Sequence, residues 1–364
     1  MAILDEYFRL MVEKKASDLH MSVGTPPLLR VSGEMTPVAG KEANTSESNR
    51  QAIWEIMSEK SREEFQTRRD TDFAYSLEGT GRFRANIFMD RHGIGGVFRL
   101  IPEKILTVAE LGLSEEIRKL CFLSKGLVLV TGPTGSGKST TLCALVDHIS
   151  THRADHIITI EDPIEFVHAN KKCLVNQREV HTHTMSFANA LRAALREDPD
   201  IVLVGEMRDL ETTRIAIETA ETGHLVFGTL HTNTAASTVD RLINQFPANE
   251  QEQIRLMLSS SLKAVISQTL IKKIGGGRAA ALETLFVTQA ISANIREGKT
   301  HQIPSAMQTG MKQGMILLND AMMKLVKAKQ VDPKEAYIKA VDKDDFVKKL
   351  ALEGLKLGLT AAEA

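Results

Sequence analysis

The chain has 364 residues, which is long enough for two or three domains that each bury a core. Hydrophobic residues make up 43% of it and charged residues 25%, the composition of an ordinary soluble globular protein. Because 45 Lys and Arg residues nearly balance 46 Asp and Glu residues, the net charge of −1 gives no overall attraction to nucleic acid or to an anionic membrane.

No segment of the sequence indicates membrane insertion or secretion. No apolar run approaches the roughly 20 residues of a membrane-spanning helix. The first ten residues contain Asp and Glu and lack a cationic region followed by an apolar one, so we expect no secretory signal. The cysteines are far apart and form no CxxC pair, which predicts reduced thiols in a cytosolic protein, without a zinc site or a disulfide. They are Cys121, Cys143 and Cys173.

The first hundred residues have the pattern of a small α+β domain. Residues 3–15 place apolar side chains on one helical face, and short β-like runs follow. These runs are residues 28–31, 83–88 and 96–100. We assign residues 1–101 to this domain and 102–112 to a linker, because Pro102 breaks the pattern there.

The middle of the chain alternates short apolar strands with amphipathic helices from residue 126 onward. This alternation predicts a doubly wound α/β core, which we assign to residues 113–285, and Ser186 is expected to cap one of its helices. The strand runs are Leu127–Val130, Ile157–Ile160, Ile201–Val204 and Leu225–Leu230.

The remaining residues, 286–364, are predicted to be mostly helical. The final stretch, residues 346–359, is basic and amphipathic. Such a tail can touch a membrane, but a helix packed on its own domain is the preferred interpretation. Gly354 and Gly358 argue against one long helix there.

The segment Gly132–Ser139 matches the phosphate-binding pattern GxxxxGK(S/T) and follows a predicted buried strand. Its glycines let backbone N–H groups curl around phosphate oxygens, and the following helix adds a favourable dipole. Lys138 supplies a positive charge for the β- and γ-phosphates of ATP, and Ser139 offers a hydroxyl to Mg²⁺. The predicted nucleotide-binding residues are Gly132, Pro133, Thr134, Gly135, Ser136, Gly137, Lys138, Ser139 and Thr140.

Phosphoryl transfer also needs carboxylates that hold the metal and orient the attacking water. Two apolar strands run directly into acidic residues, one into Glu161 and the other into Gly205 and Glu206. Gly205 stands where many P-loop enzymes have Asp. Glu206 is therefore the carboxylate expected near Mg²⁺, and Glu161 the one expected to activate water. For each acid alone, a solvated loop charge is the alternative.

A third strand ends at His231, which is placed to sense the γ-phosphate. Taken alone, a histidine at a strand end is more often structural, so the residues leave both interpretations open.

Several motifs in order make the chain similar to a known family. It resembles the secretion-superfamily hexameric ATPases, and most closely the type IV pilus retraction (twitching motility) ATPases. Beyond the phosphate loop, the resemblance rests on six segments. They are Ala16–His20, Gly81–Arg84, Val97–Pro102, the Asp box Thr159–Glu165, the Walker B segment Leu203–Asp209 and the His box Gly223–His231.

This resemblance implies an N-terminal PAS-like domain, a RecA-like core and a C-terminal helical region, assembled as a ring of six copies. It implies that Glu161 is the general base, that Glu206 is the Walker B glutamate, and that His224 and His231 line one side of the site. It also implies that Arg84 and Arg99 approach the phosphates. Spacing does not decide among these arginines and Arg82, and a surface salt bridge is the alternative for each.

The resemblance favours retraction over assembly, because assembly ATPases usually carry a tetracysteine zinc module and this chain has none. Residues 290–297 resemble the family's AIRNLIRE motif but have Ser292-Ala293-Asn294 in its middle. A cytoplasmic motor that docks on an inner-membrane platform protein at the pilus base is expected, peripheral to the membrane through its partners. An accessory or non-hydrolysing paralogue and a nucleic-acid-dependent RecA-like ATPase are the alternatives. The balanced charge argues against the latter, so we expect no nucleic-acid partner.

Overall fold

The structure is a computed structural model that describes residues 2–31, 33–101 and 104–357. The chain divides into two compact units, residues 1–104 and 105–364, and each is described by itself. Among the residues that the structure describes, no helix is both long enough and apolar enough to cross a membrane.

The first unit is an antiparallel sheet with helices packed on it, with strands in the order β3-β2-β1-β6-β5-β4. Phe8 of the first helix stacks on Phe83 with ring centroids 4.2 Å apart, and it contacts the edge of Phe98 with ring centroids 5.4 Å apart. The predicted apolar face of this helix therefore forms part of the core. The elements are α1 (Ile3–Glu13), β1 (Asp18–Met21), β2 (Leu28–Val31), β3 (Glu34–Pro37), α2 (Ser46–Ile56), α3 (Glu59–Arg68), β4 (Asp70–Leu77), β5 (Gly81–Asp90) and β6 (Gly93–Ile101).

The second unit is built on a mostly parallel sheet with strands in the order β13-β12-β7-β11-β10-β8-β9, in which only the β12–β13 pair is antiparallel. Its strands are β7 (Gly126–Thr131), β8 (His156–Glu161), β9 (Leu174–Glu179), β10 (Ile201–Val204), β11 (Leu225–Leu230), β12 (Leu262–Lys272) and β13 (Arg278–Phe286). Its helices are α4 (Glu115–Leu120), α5 (Lys138–His152), α6 (Phe187–Ala194), α7 (Leu210–Thr222), α8 (Ala235–Asn244), α9 (Gln251–Ser261), α10 (Gln289–Arg296), α11 (Ile303–Thr309), α12 (Leu318–Lys327), α13 (Pro333–Lys339) and α14 (Lys343–Leu352), with 3₁₀ turns at Thr300–Gln302 and Met311–Gln313.

Both faces of the parallel sheet are covered, which explains the unbroken apolar runs in its central strands. Along β7, Leu127 and Leu129 pack in one apolar cluster, whereas Val128 and Val130 pack in another. The four predicted strands of this core are confirmed. Ser186 caps α6 as predicted, because its side chain accepts a hydrogen bond from the Asn189 amide.

The hairpin of β12 and β13 was not predicted from the sequence. Helix α9 ends at Ser261 and β12 begins at the next residue, so no loop separates the helical sequence pattern from the strand pattern. Gly275–Gly277 turn the chain between the two strands, with φ angles of 85°, 104° and 78°. This hairpin extends the sheet on the side of the phosphate loop, and it supplies polar side chains to that loop.

The last described helix packs on its own unit, as predicted. Phe346 and Leu350 of α14 are buried in a cluster with residues of α12 and β13. The helix ends at Leu352, shortly before Gly354 with a φ of 67°. The end of the predicted amphipathic stretch, from Gly358 onward, lies outside the described residues.

Candidate active site

The phosphate loop connects the end of β7 at Thr131 to the start of α5 at Lys138. Gly132, Gly135 and Gly137 have φ angles of 144°, 76° and 90°, a region of backbone conformation that favours glycine. The loop therefore leads directly into a helix N-terminus, which carries unpaired backbone N–H groups and the positive end of the helix dipole. This is the arrangement that an anionic phosphate group requires.

The cationic side chain of the loop, Lys138, lies close to the loop backbone. Its Nζ donates to the carbonyl oxygen of Gly132 at 2.8 Å and to that of Pro133 at 3.2 Å. Burial lowers the pKa of Lys138, and the negative charge of Glu206 acts against that shift. The lysine predicted to bind phosphates and the Walker B glutamate are thus close enough to interact electrostatically.

Glu161 ends β8 and is buried, with only 8% of its surface exposed. Its Oε1 accepts hydrogen bonds from the Thr159 hydroxyl at 2.6 Å and from Gln177 Nε2 at 3.1 Å. Burial raises the pKa of this carboxyl, although those hydrogen bonds favour its charged form. A carboxylate with a raised pKa is a stronger base, which suits the predicted role of accepting a proton from water.

Glu206 follows the end of β10, and its carboxylate contacts two neighbouring side chains. Its Oε1 lies 2.6 Å from Arg208 Nε and 2.8 Å from His231 Nε2. Burial acts to raise the pKa of Glu206, but the hydrogen bonds and charges of Arg208 and His231 outweigh it and hold that pKa below its usual value. The structure thus brings Glu206 and His231 together, as expected from strands that end at one edge of a parallel sheet.

Gly205 has a steric reason to replace the aspartate expected in this segment. Its N–H donates to the Ile160 carbonyl at 2.7 Å. A Cβ at this position would lie 3.0 Å from that carbonyl oxygen and 3.2 Å from the Cα of Glu161, tighter than most real contacts. The nearby Asp209 instead caps α7, where Oδ1 accepts from the Thr212 amide at 2.8 Å. Glu206 therefore stays the predicted metal-binding carboxylate of this segment, and its Oε1 contacts Arg208 and His231.

The two histidines of the His box lie at opposite ends of β11. His224 precedes this six-residue strand, and its Nδ1 lies 3.2 Å from the Thr219 carbonyl oxygen, whereas His231 follows the strand. A strand of this length spans about 20 Å. Within one chain the structure therefore brings His231, and not His224, to Glu206, and the expected place of His224 beside the site stays a prediction.

A row of hydroxyls links the phosphate loop to the His-box loop, and the sequence patterns did not indicate it. Thr131 Oγ1 lies 2.8 Å from Ser267 Oγ and 3.4 Å from Thr238 Oγ1. Thr238 Oγ1 in turn lies 2.7 Å from Thr232 Oγ1. Buried hydrogen bonds of this kind fix the relative positions of strand ends, because an unpaired polar group would be costly there. Threonine spacing alone carries no signal for such a row.

Arg84 and Arg99 lie in the first unit, directly opposite each other on the paired strands β5 and β6. Arg99 Nε donates to Asp18 Oδ1 at 2.8 Å, and Arg84 Nε lies 3.8 Å from Asp72 Oδ1. Both remain accessible, with side-chain exposures of 68% for Arg99 and 45% for Arg84. Burial acts to raise the pKa of Asp18, but hydrogen bonds from Ser17 and Arg99 hold it below its usual value, so Asp18 stays charged.

The residues expected to hold Mg²⁺ offer oxygen ligands. The described residues contain no cluster of three or more His, Cys, Asp and Glu side chains that would bind a metal by themselves. A P-loop site needs no such cluster, because Mg²⁺ is held largely by nucleotide phosphates with one or two protein oxygens. Ser139 at the start of α5 and the ionised Glu206 are chemically suited to this role, and the hydroxyl of Ser136 is buried with no hydrogen-bond partner among the described residues.

A parallel sheet, a phosphate loop after its β7 strand and two strand-end glutamates define a P-loop ATPase. Residues 1–337 match the family model described as "Type II/IV secretion system protein", and the chain belongs to this family. It is 51% identical to the type IV pilus retraction ATPase PilT of Pseudomonas aeruginosa, over 94% of this chain and 99% of that one. It is 48% identical to the "twitching motility protein" of Neisseria gonorrhoeae, over 88% of this chain and 86% of that one.

A solved structure described as the pilus retraction motor PilT with bound ADP has a TM-score of 0.90 and 44% identity. It covers 96% of this chain and 99% of its own. The fold class expected from the sequence is confirmed: a RecA-like P-loop core with an N-terminal PAS-like α+β domain and a C-terminal helical region. The chain is an ATPase and uses a nucleotide.

Proposed function

We propose that this chain is an ATP-hydrolysing hexameric motor that powers type IV pilus retraction. The hydrolytic part is supported by the position of Glu161 and Glu206 at the carboxyl ends of neighbouring strands, beside a complete phosphate loop. The retraction part is supported by 51% identity to a pilus retraction ATPase over nearly the whole chain.

Each polar residue at or beside the phosphate loop has one proposed role in ATP hydrolysis. The backbone of Gly132–Thr140 and the Lys138 ammonium bind the phosphates of ATP. Glu161 accepts the proton of the attacking water, and burial supports this role because it raises the pKa of the carboxyl and so makes its charged form a stronger base. His231 lies against Glu206 and responds to the γ-phosphate through that contact.

We assign Mg²⁺ to the hydroxyl of Ser139 and the carboxylate of Glu206. When bound, the metal ion neutralises phosphate charge and so stabilises the transition state of phosphoryl transfer. Glu206 contributes by staying ionised, because Arg208 and His231 keep its pKa low. Replacing Glu206 by Gln would leave these two partners facing a neutral group.

We assign Arg84 and Arg99 to the stabilisation of phosphate charge by the N-terminal domain, in a homohexamer. Their adjacency on β5 and β6 and their exposure support this role. An arginine of this kind can contribute about 10³-fold or more to the rate. The matched control is Asp18→Asn, which removes the same salt bridge as Arg99→Gln. Only Arg99→Gln is expected to lower kcat strongly, and an equal loss in both variants would reduce Arg99 to a structural role.

We propose that residues 1–101 form the PAS-like domain, 102–112 the linker, 113–285 the ATPase core and 286–364 the C-terminal helical region. We propose that the motor works in the cytoplasm at the pilus base, peripheral to the inner membrane through a platform protein. Its balanced charge supports a protein partner over nucleic acid.

An accessory paralogue of the retraction motor is the second candidate function. The observation that favours it is the stretch Ser292-Ala293-Asn294, where the retraction family has other residues. The Ser292 hydroxyl donates to the Ser259 carbonyl of α9 at 2.6 Å, so this stretch takes part in the contact between α10 and α9. A motor that depends on a second ATPase for retraction would fit this candidate.

The two candidates separate in a piliated bacterium whose own retraction ATPase has been deleted. Expression of the parent chain is expected to restore twitching and to reduce surface pili, whereas Lys138→Ala is not. Lys172→Ala, at an exposed lysine away from the loop, serves as the control and should behave like the parent. The same test is made in a second strain that keeps another retraction ATPase. Restoration of twitching only in that second strain would favour the accessory function. No restoration in either strain would contradict both candidate functions.

A further inference from the structure

Gln268, on the unpredicted strand β12, contacts the phosphate loop at two points. Strand β12 runs parallel to β7 and pairs Ser267 with Thr131, so Gln268 lies beside the first residue of the loop. Its Nε2 donates to the Ser136 carbonyl at 2.7 Å, and its Oε1 accepts from the Thr141 hydroxyl at 2.7 Å. One carboxamide therefore ties the loop to the first turn of the helix that follows it.

The glycines at both ends of the loop leave room for Gln268. A Cβ on Gly132 would lie 2.2 Å from the carbonyl oxygen of Gln268, and a Cβ on Gly137 would lie 2.7 Å from its Nε2. Real Cβ atoms essentially never come this close to another atom, so a side chain at either position would force the loop or Gln268 to shift. The loop thus fits closely around this glutamine, in addition to the positive φ angles that already favour glycine at both positions.

The hydrogen bond to Ser136 determines the direction of a neighbouring N–H group. The Ser136 carbonyl and the Gly137 N–H belong to one planar trans peptide, in which they point in opposite directions. Fixing the carbonyl on Gln268 therefore fixes the Gly137 N–H, one of the loop donors expected to face phosphate. Gln268 is only 5% exposed, so both of its hydrogen bonds are shielded from water and their loss would leave buried polar groups unpaired.

We infer that Gln268 is a positioning residue that holds the phosphate loop in the conformation that binds nucleotide. It acts through Ser136 and Thr141 and touches no phosphate itself. This inference rests on nucleotide binding at the loop, which is part of the proposed function, but it does not depend on pilus retraction or on hydrolysis. It predicts a defect shared by ATP and ADP, because the loop backbone holds the α- and β-phosphates that both contain.

The test is the affinity of the full chain for ATP and for ADP, measured by isothermal titration calorimetry with Gln268→Met. Methionine keeps the length of the side chain but removes both hydrogen bonds. Because both buried bonds to the loop are lost, we expect Kd for both nucleotides to rise roughly 10- to 100-fold. Gln251→Met is the matched control, since Gln251 Nε2 donates to the Phe246 carbonyl at 3.0 Å, away from the loop, and it should bind like the parent.

A second variant keeps the inference testable if Gln268→Met folds poorly. In Gln268→Glu, a charged carboxylate cannot donate to the Ser136 carbonyl, whereas the neutral acid restores one O–H donor. Its nucleotide affinity relative to the parent should therefore improve as pH falls from 9 to 6. Three results would each overturn the inference. Gln268→Met could bind both nucleotides within about twofold of the parent, or it could be defective for ATP alone. The affinity of Gln268→Glu could also fail to respond to pH. Failure of the parent to bind either nucleotide would overturn the proposed function together with it.

Discussion

The hydroxyl of Thr159 provides a sensitive test of the role of Glu161. It donates to Glu161 Oε1 at 2.6 Å, and the carboxyl is 8% exposed, so solvent screens this bond little. A hydrogen bond to a charged group contributes about 1.5–3 kcal/mol. Because this bond favours the charged carboxylate, Thr159→Val should raise the already elevated pKa of Glu161 further.

The assay is the pH dependence of kcat for ATP hydrolysis by the purified chain. A base must be unprotonated to act, so the rate falls on the acid side of its pKa, and a higher pKa moves this acid limb toward higher pH. On the limb, Thr159→Val should be roughly 10- to 100-fold slower than the parent at a given pH, with rates that converge at high pH. Thr213→Val is the matched control, because the buried Thr213 hydroxyl has no hydrogen-bond partner among the described residues. An acid limb that does not move in Thr159→Val would refute the assignment of Glu161 as base.

Two further predictions concern stability. Glu283 is 3% exposed, and its oxygens accept from the backbone N–H groups that begin α8 and α12 at 2.6 Å and 2.9 Å. Glu283→Gln turns a donor toward one of these N–H groups and should lower the free energy of unfolding by about 1–3 kcal/mol in urea denaturation, whereas exposed Glu297→Gln should change it by less than about 0.5 kcal/mol. Glu161 has a raised pKa in the fold, so the native state binds its proton more tightly than the unfolded state and stability falls as pH rises through that pKa. Glu161→Gln should therefore be more stable than the parent at pH 8, with a difference that shrinks toward pH 4.5, and a constant difference across this range would contradict the raised pKa.

The central strands and the strand-end residues were predictable because their signals are local. A buried parallel strand is an apolar run, and parallel strands place their carboxyl ends at one edge, which brings Glu206 to His231 without any knowledge of the fold. The phosphate loop was predictable for the same reason, because its residue pattern and the strand and helix on either side of it are contiguous in sequence.

The residues that support the site were not predictable, because their contacts join distant parts of the chain. Gln268 reaches Ser136 across 132 positions, and Glu283 reaches the Ala235 amide across 48. Both lie in short polar runs within β-like segments, Ser267-Gln268-Thr269 and Glu283-Thr284, and residues of these polar types are usually exposed. Only the pairing of β12 with β7 shows that Gln268 faces the loop.

The proposal that the chain is a hexameric ATPase with Glu161 as its base is tested most directly by steady-state ATP hydrolysis. The purified chain and Glu161→Ala are compared, and the mass of each is measured by light scattering. We expect a hexamer that hydrolyses ATP, and a Glu161→Ala variant that still binds ATP but turns it over at least about a hundredfold more slowly. Tight ATP binding without turnover by the parent, or turnover by Glu161→Ala at the parental rate, would contradict it.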